Sequence, residues 1–298
     1  MEGYLHPLYA ESFSEVGTPI YLPKSKGWLI KRQIPGTKYY DAMGPYPLFF
    51  CEHWQHLIDD LEDLREQLIS VSLVIGPFNN FPMDAYEKSF DVFYPYKDHY
   101  ILDTSLPVAE SISKYSRRDA RRALKAVRIE HKISPDIDLD EWVELYAHLI
   151  KRHNITGIRM FSRECFAKQI SIPNTHYFRA LYNGKVVGGN LYYIQNKFAY
   201  GHLLALTPEG YELNASYAIK WQAVQHLSDI VRWINFGGGV GEKDGKMSGL
   251  DLFKKKWTNT IEKSYFCGKI LNRNAYQQIS ENNKITNWFP VYRDGEFS

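Results

Sequence analysis

The chain has 298 residues, enough for two domains or for one large domain with an elaboration. Hydrophobic residues make up 44% and charged residues 23%, which supplies a core and excludes a disordered chain. The net charge of +2 gives no global support to nucleic-acid binding, so such a role has to rest on a local patch.

In chain order, residues 17–50 alternate short apolar runs with turn residues such as Pro35-Gly36 and Gly44-Pro45. Trp28-Leu29-Ile30 reads as one strand of a small antiparallel set. Leu57, Leu61, Leu64 and Leu68 then repeat at four-three-four, which predicts a helix over Glu52 to Ile69 with one buried stripe. Val71 to Ile75 is a short buried strand, and Tyr100-Ile101-Leu102 is another. Ser111 to Arg128 predicts a two-faced helix. Arg117, Arg118, Arg121, Arg122, Lys125 and Arg128 share one arc, and Ala120, Ala123, Leu124 and Val127 the opposite one.

A strand over Ile129 to Ile133 and a helix opened by Asp138 and Asp140 follow. Phe161 to Ile170 is a shorter helix. Three strands, Tyr177–Tyr182, Lys185–Ile194 and Lys197–Leu206, are punctuated by Asn183-Gly184 and Gln195-Asn196 and read as a meander. Asn214 or Ser216 caps a helix through Leu227, and Ile230 to Ile234 leads into Phe236, Gly237, Gly238, Gly239 and Gly241. This order predicts an α+β fold with a mixed sheet flanked by helices.

The segment Asn235 to Trp257 carries the densest chemistry. Glycines just past a strand let the backbone take positive φ and approach a ligand closely. Asp244 and its charged neighbours follow, and then Lys254 stands between Phe253 and Trp257. A lysine held by aromatic neighbours can stabilise the oxyanion of an acyl-transfer intermediate. No P-loop or dinucleotide fingerprint is present. Arg117, Arg121 and Arg128 form a candidate anion site, because guanidinium forks match phosphate oxygens. Read alone, that basic helix also fits a non-catalytic protein holding RNA or an anionic membrane surface. His153 at a helix end, and Tyr200 with His202 in the third meander strand, are candidates for proton handling or acceptor binding.

Metal chemistry finds little support. Cys51-Glu52-His53 with His56 lacks a second ligand pair of matching spacing, and Asp136, Asp138 and Asp140 open a calcium-like loop that then has Glu141 where glycine is needed. No metal is expected. Three widely spaced cysteines fit reduced thiols, and Met1-Glu2-Gly3-Tyr4 has neither the basic nor the apolar region of a signal peptide. The longest apolar run is too short to span a bilayer. A cytoplasmic protein without an integral membrane segment is expected.

From about Tyr100 to Gly268 the chain resembles FemABX-type transferases and their relatives with a BioF2-like acetyltransferase domain, built on the GNAT fold. The likeness lies in the Gly184-Lys185-Val186-Val187-Gly188-Gly189 strand entry, the meander, and the order Phe236-Gly-Gly-Gly then Gly249-Leu250-Asp251-Leu252-Phe253-Lys254. The resemblance implies two tandem GNAT-like lobes, an N-terminal one over 1–110 and the acyltransferase domain over 111–298. It implies transfer of an acyl or aminoacyl group, from acyl-CoA or aminoacyl-tRNA, to an amine of a sugar, peptide or nucleotide-linked cell-envelope precursor. Lys254 matches the family's catalysis-associated lysine. Gly237, Gly238, Gly239 and Phe253 would line the donor site. One departure stands out: the CoA loop Pro-x-x-Arg-x-x-Gly-x-Gly/Ala is here Pro208 followed by Tyr211, Asn214 and Ser216 at the arginine and small-residue positions. These three are carried over as cofactor-binding positions.

Overall fold

The structure is a computed structural model describing residues 1–78, 83–239, 242–243, 246–281 and 288–296. Gly241 and Asp244 of the glycine segment lie outside the described residues. In chain order the elements are α1 (Pro7–Glu11), β1 (Thr18–Leu22), β2 (Gly27–Gln33), β3 (Tyr40–Met43), α2 (Leu57–Asp63), β4 (Ser70–Ile75), α3 (Met83–Ser89) and β5 (Val92–Asp103). They continue with α4 (Val108–Ser111), α5 (Lys114–Ala123), β6 (Arg128–Ile133), α6 (Leu139–His153), α7 (Arg163–Ile170), β7 (Thr175–Tyr182), β8 (Lys185–Gln195) and β9 (Phe198–Leu206). The chain closes with α8 (Pro208–Glu212), α9 (Ala215–Leu227), β10 (Trp233–Gly238), β11 (Glu242–Lys243), β12 (Lys246–Met247), α10 (Gly249–Lys255), β13 (Thr260–Ile270) and α11 (Arg273–Ser280). The expected α+β architecture, a mixed sheet flanked by helices, is what the chain forms.

Two compact units are present: residues 1, 3–96 and 263–298, and residues 2 and 97–262. The sequence reading placed its boundary at residue 110. In the first unit the strand order is β1-β2-β3-β4-β13, with β3 and β4 parallel and the other pairs antiparallel. Its core includes Leu57, Leu61, Leu64 and Leu68, the predicted stripe. The helix itself is shorter than expected, because α2 ends at Asp63, and Leu64 and Leu68 are buried by the turns that follow. Cys51, Cys165 and Cys267 are buried, and no disulfide links them.

In the second unit the order is β5-β10-β9-β8-β7-β6, with β9 and β10 parallel and the rest antiparallel. The meander is as predicted. Asn183 and Gly184 both take positive φ, 49° and 78°, the conformation a two-residue hairpin turn needs. Asp138 caps α6 by accepting the Glu141 N–H at 3.1 Å. α9 lies on β7, β8 and β9 and buries Ala215, Ala218, Ile219, Ala223, Val224 and Leu227.

The basic helix is corrected. It ends at Ala123, and Arg128 is the first residue of β6, where it pairs with Glu130 at 2.5 Å. The charge arc continues in sequence, but Val127 and Ile129 favour an extended backbone, and Arg128 to Ile133 hydrogen-bond against Leu181 to His176. Arg128 therefore does not share a helical face with Arg117 and Arg121.

Under α10, Trp257 is fully buried beside Phe253 and Tyr217, at ring separations of 6.2 and 6.1 Å. Trp257→Ala is expected to cost about 3–5 kcal/mol, read as a lowered denaturation midpoint with little change in m-value.

Candidate active site

The parallel pairing of β9 with β10 runs through three residue pairs, Phe198–Trp233, Ala199–Ile234 and Tyr200–Asn235. Both strands continue, to Leu206 and Gly238, so they part beyond Tyr200 and Asn235. Two irregularities coincide with the parting. Against β8, the register of β9 gains one residue at His202; against β5, that of β10 gains one across Phe236 and Gly237. Gly237 has φ +83°, and this bulge explains why Gly237 and Gly238 end the strand rather than follow it.

Side chains converge on that opening. Lys254 Nζ, from α10, donates to the Gly238 carbonyl at 2.7 Å and would stand 3.4 Å from a Cβ at Gly237. Asn235 Oδ1 accepts the Gly237 N–H at 2.8 Å and lies 3.2 Å from His99 Nδ1. An amide oxygen only accepts, so Nδ1 carries the ring's proton and Nε2 faces Gly238 with a lone pair. At Gly239 a Cβ would stand 1.9 Å from Asp251 Oδ1, so only glycine fits. Asp251 in turn closes the first turn of α10, with its N–H 3.1 Å and its Oδ2 2.5 Å from Ser248 Oγ.

The electrostatics favour an anion. Burial lowers the Lys254 pKa to about 8; the Lys97 charge adds to the effect and Asp251 opposes it. Lys220 of α9 is 5% exposed and lies over the rings of Phe236 and Phe253, at 4.0 and 5.5 Å from their centroids. Burial first, and then the Lys254 charge, bring its pKa down to about 7. The His99 ring is pushed down to about 4, chiefly by burial. The two amines are coupled and titrate as a pair, both well below the ordinary lysine value.

Of the residues singled out in the sequence, Lys254, Phe253, Gly237, Gly238 and Gly239 are brought together here. Register sets Tyr200 beside Asn235, but the side chain is buried, with its ring stacked on Phe198 and its hydroxyl pKa raised by that burial. His202 is 3.2 Å from Gln169 Oε1, stacks on Tyr193, and is pushed by burial to a pKa of about 3. His153 is exposed at the end of α6, 3.5 Å from the Tyr211 hydroxyl, and Arg152 lies 3.8 Å over the Tyr211 ring. Asn214 precedes α9 at φ +54°, and Ser216 lies in its first turn. Arg121 is exposed on α5, while Arg117 is half-buried there. Among the described residues, no hydrogen bond, ion pair or ring contact joins His153, Tyr211, Arg117 or Arg121 to Lys254.

Sequence reasoning missed Lys220, His99, Asn235 and Lys97. The signal for Lys220 was present: it shares the spacing of Ala223 and Leu227, so a lysine occupies the buried stripe of a helix.

No protein-family profile and no curated protein sequence matches the chain. Solved structures do. FemX superposes with a TM-score of 0.70 at 14% identity, over 92% of this chain and 93% of its own. The fold is that of FemX. The same FemX-type fold matches the C-terminal domain of a protein described as a lysylphosphatidylglycerol synthetase from Agrobacterium fabrum, with a TM-score of 0.63, 14% identity, and 90% and 87% coverage. It also matches L-PGS from Bacillus licheniformis, with a TM-score of 0.58, 13% identity, and 92% and 94% coverage.

Gly239→Ala is expected to destabilise the protein by about 1–3 kcal/mol, because the Asp251 carboxylate cannot yield without opening α10. Gly249→Ala, where a Cβ would meet nothing within 4 Å, is expected to be neutral or stabilising. Chemical denaturation of the two variants reads the difference.

Proposed function

We propose that the protein is an N-acyltransferase or aminoacyltransferase. It would move an acyl group from an activated carrier, acyl-CoA or aminoacyl-tRNA, to an amine of a sugar, peptide or cell-envelope precursor in the cytoplasm. The observation that carries this reading is Lys254, a half-buried cation held at a glycine bulge where two parallel strands part. The fold shared with FemX and with proteins named for lysylphosphatidylglycerol synthesis, which join a lysyl group to a lipid, supports the transfer class.

In this reading the acceptor amine attacks the carbonyl carbon of the donor ester or thioester. The C–N bond forms, negative charge collects on the carbonyl oxygen, and the carrier oxygen or sulfur leaves as the intermediate collapses. Lys254 stabilises that oxyanion, and Gly237 to Gly239 let donor backbone or carbonyl approach without a Cβ in the way. Neutral Lys220 is in the form that accepts the proton the amine must lose. The unit of residues 1, 3–96 and 263–298, rather than residues 1–110, would serve as a second GNAT-like lobe. Tyr211, Asn214 and Ser216, with Arg152, face the carrier, and Arg117 and Arg121 are the remaining anion-binding candidates for a tRNA. Among the described residues, no helix is long and apolar enough to cross a membrane. With Arg128 paired in β6, the basic face is too short to favour a purely RNA- or membrane-binding role.

A thermal-shift screen against CoA, acyl-CoAs and charged tRNA selects the carrier, since a ligand at a hundred times its Kd adds about 2.7 kcal/mol. With that carrier, Lys254→Ala is expected to lower kcat by about 10²-fold or more with the fold intact. Near-normal turnover would remove Lys254 from the mechanism. The kcat/KM profile should be bell-shaped. It rises as Lys220 loses its proton through about pH 7 and falls as Lys254 loses its charge through about pH 8. Lys97 lowers the Lys254 pKa, so Lys97→Met should move the alkaline limb to higher pH; an unchanged limb would assign it to another group.

A further inference from the structure

Three histidines that no part of the transfer chemistry uses meet on the second unit. His131 lies on β6 opposite Phe178 of β7, and His176 is two residues along β7 from Phe178, opposite Ile133. The two imidazoles are therefore diagonal neighbours on one face of an antiparallel pair. His226 reaches the same place from the last turn of α9. One ligand nitrogen from each ring lies within 4.8 Å of those of the other two, and His131 Nε2 is 3.0 Å from His176 Nδ1. Ring centroids are 4.3 Å apart for His131 and His226 and 5.8 Å for His176 and His226. His131 also stacks at 4.4 Å on Phe178, which fixes its plane.

We propose that His131, His176 and His226 form a three-imidazole site for a borderline divalent transition-metal ion such as zinc, tying the C-terminal turn of α9 to strands β6 and β7. Ligand nitrogens around a tetrahedral ion at about 2.0–2.1 Å stand about 3.4 Å apart, close to the 3.0 Å separation of His131 and His176. The third ligand closes the remaining distance by a small ring rotation, because His226 is exposed, while His176 is buried and His131 half-buried. An all-imidazole set suits zinc, nickel, cobalt or copper rather than magnesium or calcium. Three protein ligands leave one coordination position of a tetrahedral ion for solvent or a further ligand. The spacing of 45 and 50 residues matches no local metal motif, which is why the sequence gives no sign of it. Cys51, His53, Glu52 and His56 do not compete: Cys51 is buried with its thiol pKa pushed up, and Glu52 pairs with Lys26 at 3.3 Å.

The test is titration of the full chain, free of any histidine tag, with cobalt(II) and zinc(II) chloride. The expected result is one cobalt per chain, with the visible d–d bands of a low-coordinate nitrogen site and no thiolate-to-cobalt band. Zinc should displace the cobalt and raise Tm. His226→Ala, a change at an exposed position, should weaken binding by about tenfold or more and abolish the zinc-induced rise in Tm. His56→Ala should change neither. Absence of stoichiometric binding, or equal affinity in His226→Ala, would overturn the site and leave the three rings as packing on Phe178.

Discussion

The early end of the β9–β10 ladder is the constraint from which the site follows. Backbone groups released from a ladder must find other partners or lose the free energy of a hydrogen bond. Here side chains supply them: Lys254 takes the Gly238 carbonyl, Asn235 the Gly237 N–H, and Asn190 Nδ2 the Leu203 carbonyl at 2.8 Å. The Gly239 N–H goes to the Asp98 carbonyl at 2.9 Å. The groups that repair the parted strands are thus the same groups that face its opening. Lys254 is held in place by its hydrogen bond to the Gly238 carbonyl at the end of β10.

That arrangement works against stability. A lysine whose folded pKa is lowered from 10.5 destabilises the fold at every pH below the lowered value, and the penalty fades only as pH rises toward 10.5. Two such lysines, at about 8 and about 7, sit within reach of each other's charge. Apolar residues of similar length at either position would relieve the penalty. Only Asp251 opposes the shift at Lys254, and it is itself fixed by Ser248 and by the missing Cβ of Gly239. Perturbed titration of this kind concentrates where chemistry needs it.

Much of the fold was legible because its signals are local. Asn183-Gly184 set a hairpin, Asp138 opened α6, and the leucine stripe of residues 57–68 marked a buried face even though its helix stops early. The basic helix was read too long because charge periodicity does not report where Arg128 and Ile129 find a strand partner; Leu181 and Ala180 lie far along the chain. The glycine run was seen, but not that it bulges a strand. Lys254 was legible from its aromatic neighbours. Lys220 was legible as a lysine in the buried stripe of a helix, whereas His99 and the three-histidine cluster depend on residues far apart in sequence meeting through sheet order and helix packing, which no local pattern encodes.

The cofactor-loop departure reads differently once the backbone is known. Three positions depart from the loop pattern: Tyr211 stands at the arginine, and Asn214 and Ser216 at the two small residues. Asn214 nevertheless adopts φ +54°, a left-handed conformation that asparagine tolerates better than other non-glycine residues, so the turn that a glycine would make is made. Arg152 of α6 lies over the Tyr211 ring, 3.8 Å from its centroid, and His153 Nε2 is 3.5 Å from the Tyr211 hydroxyl. Under the proposed carrier role, Arg152 would bring to that corner of the fold the positive charge that Tyr211 lacks.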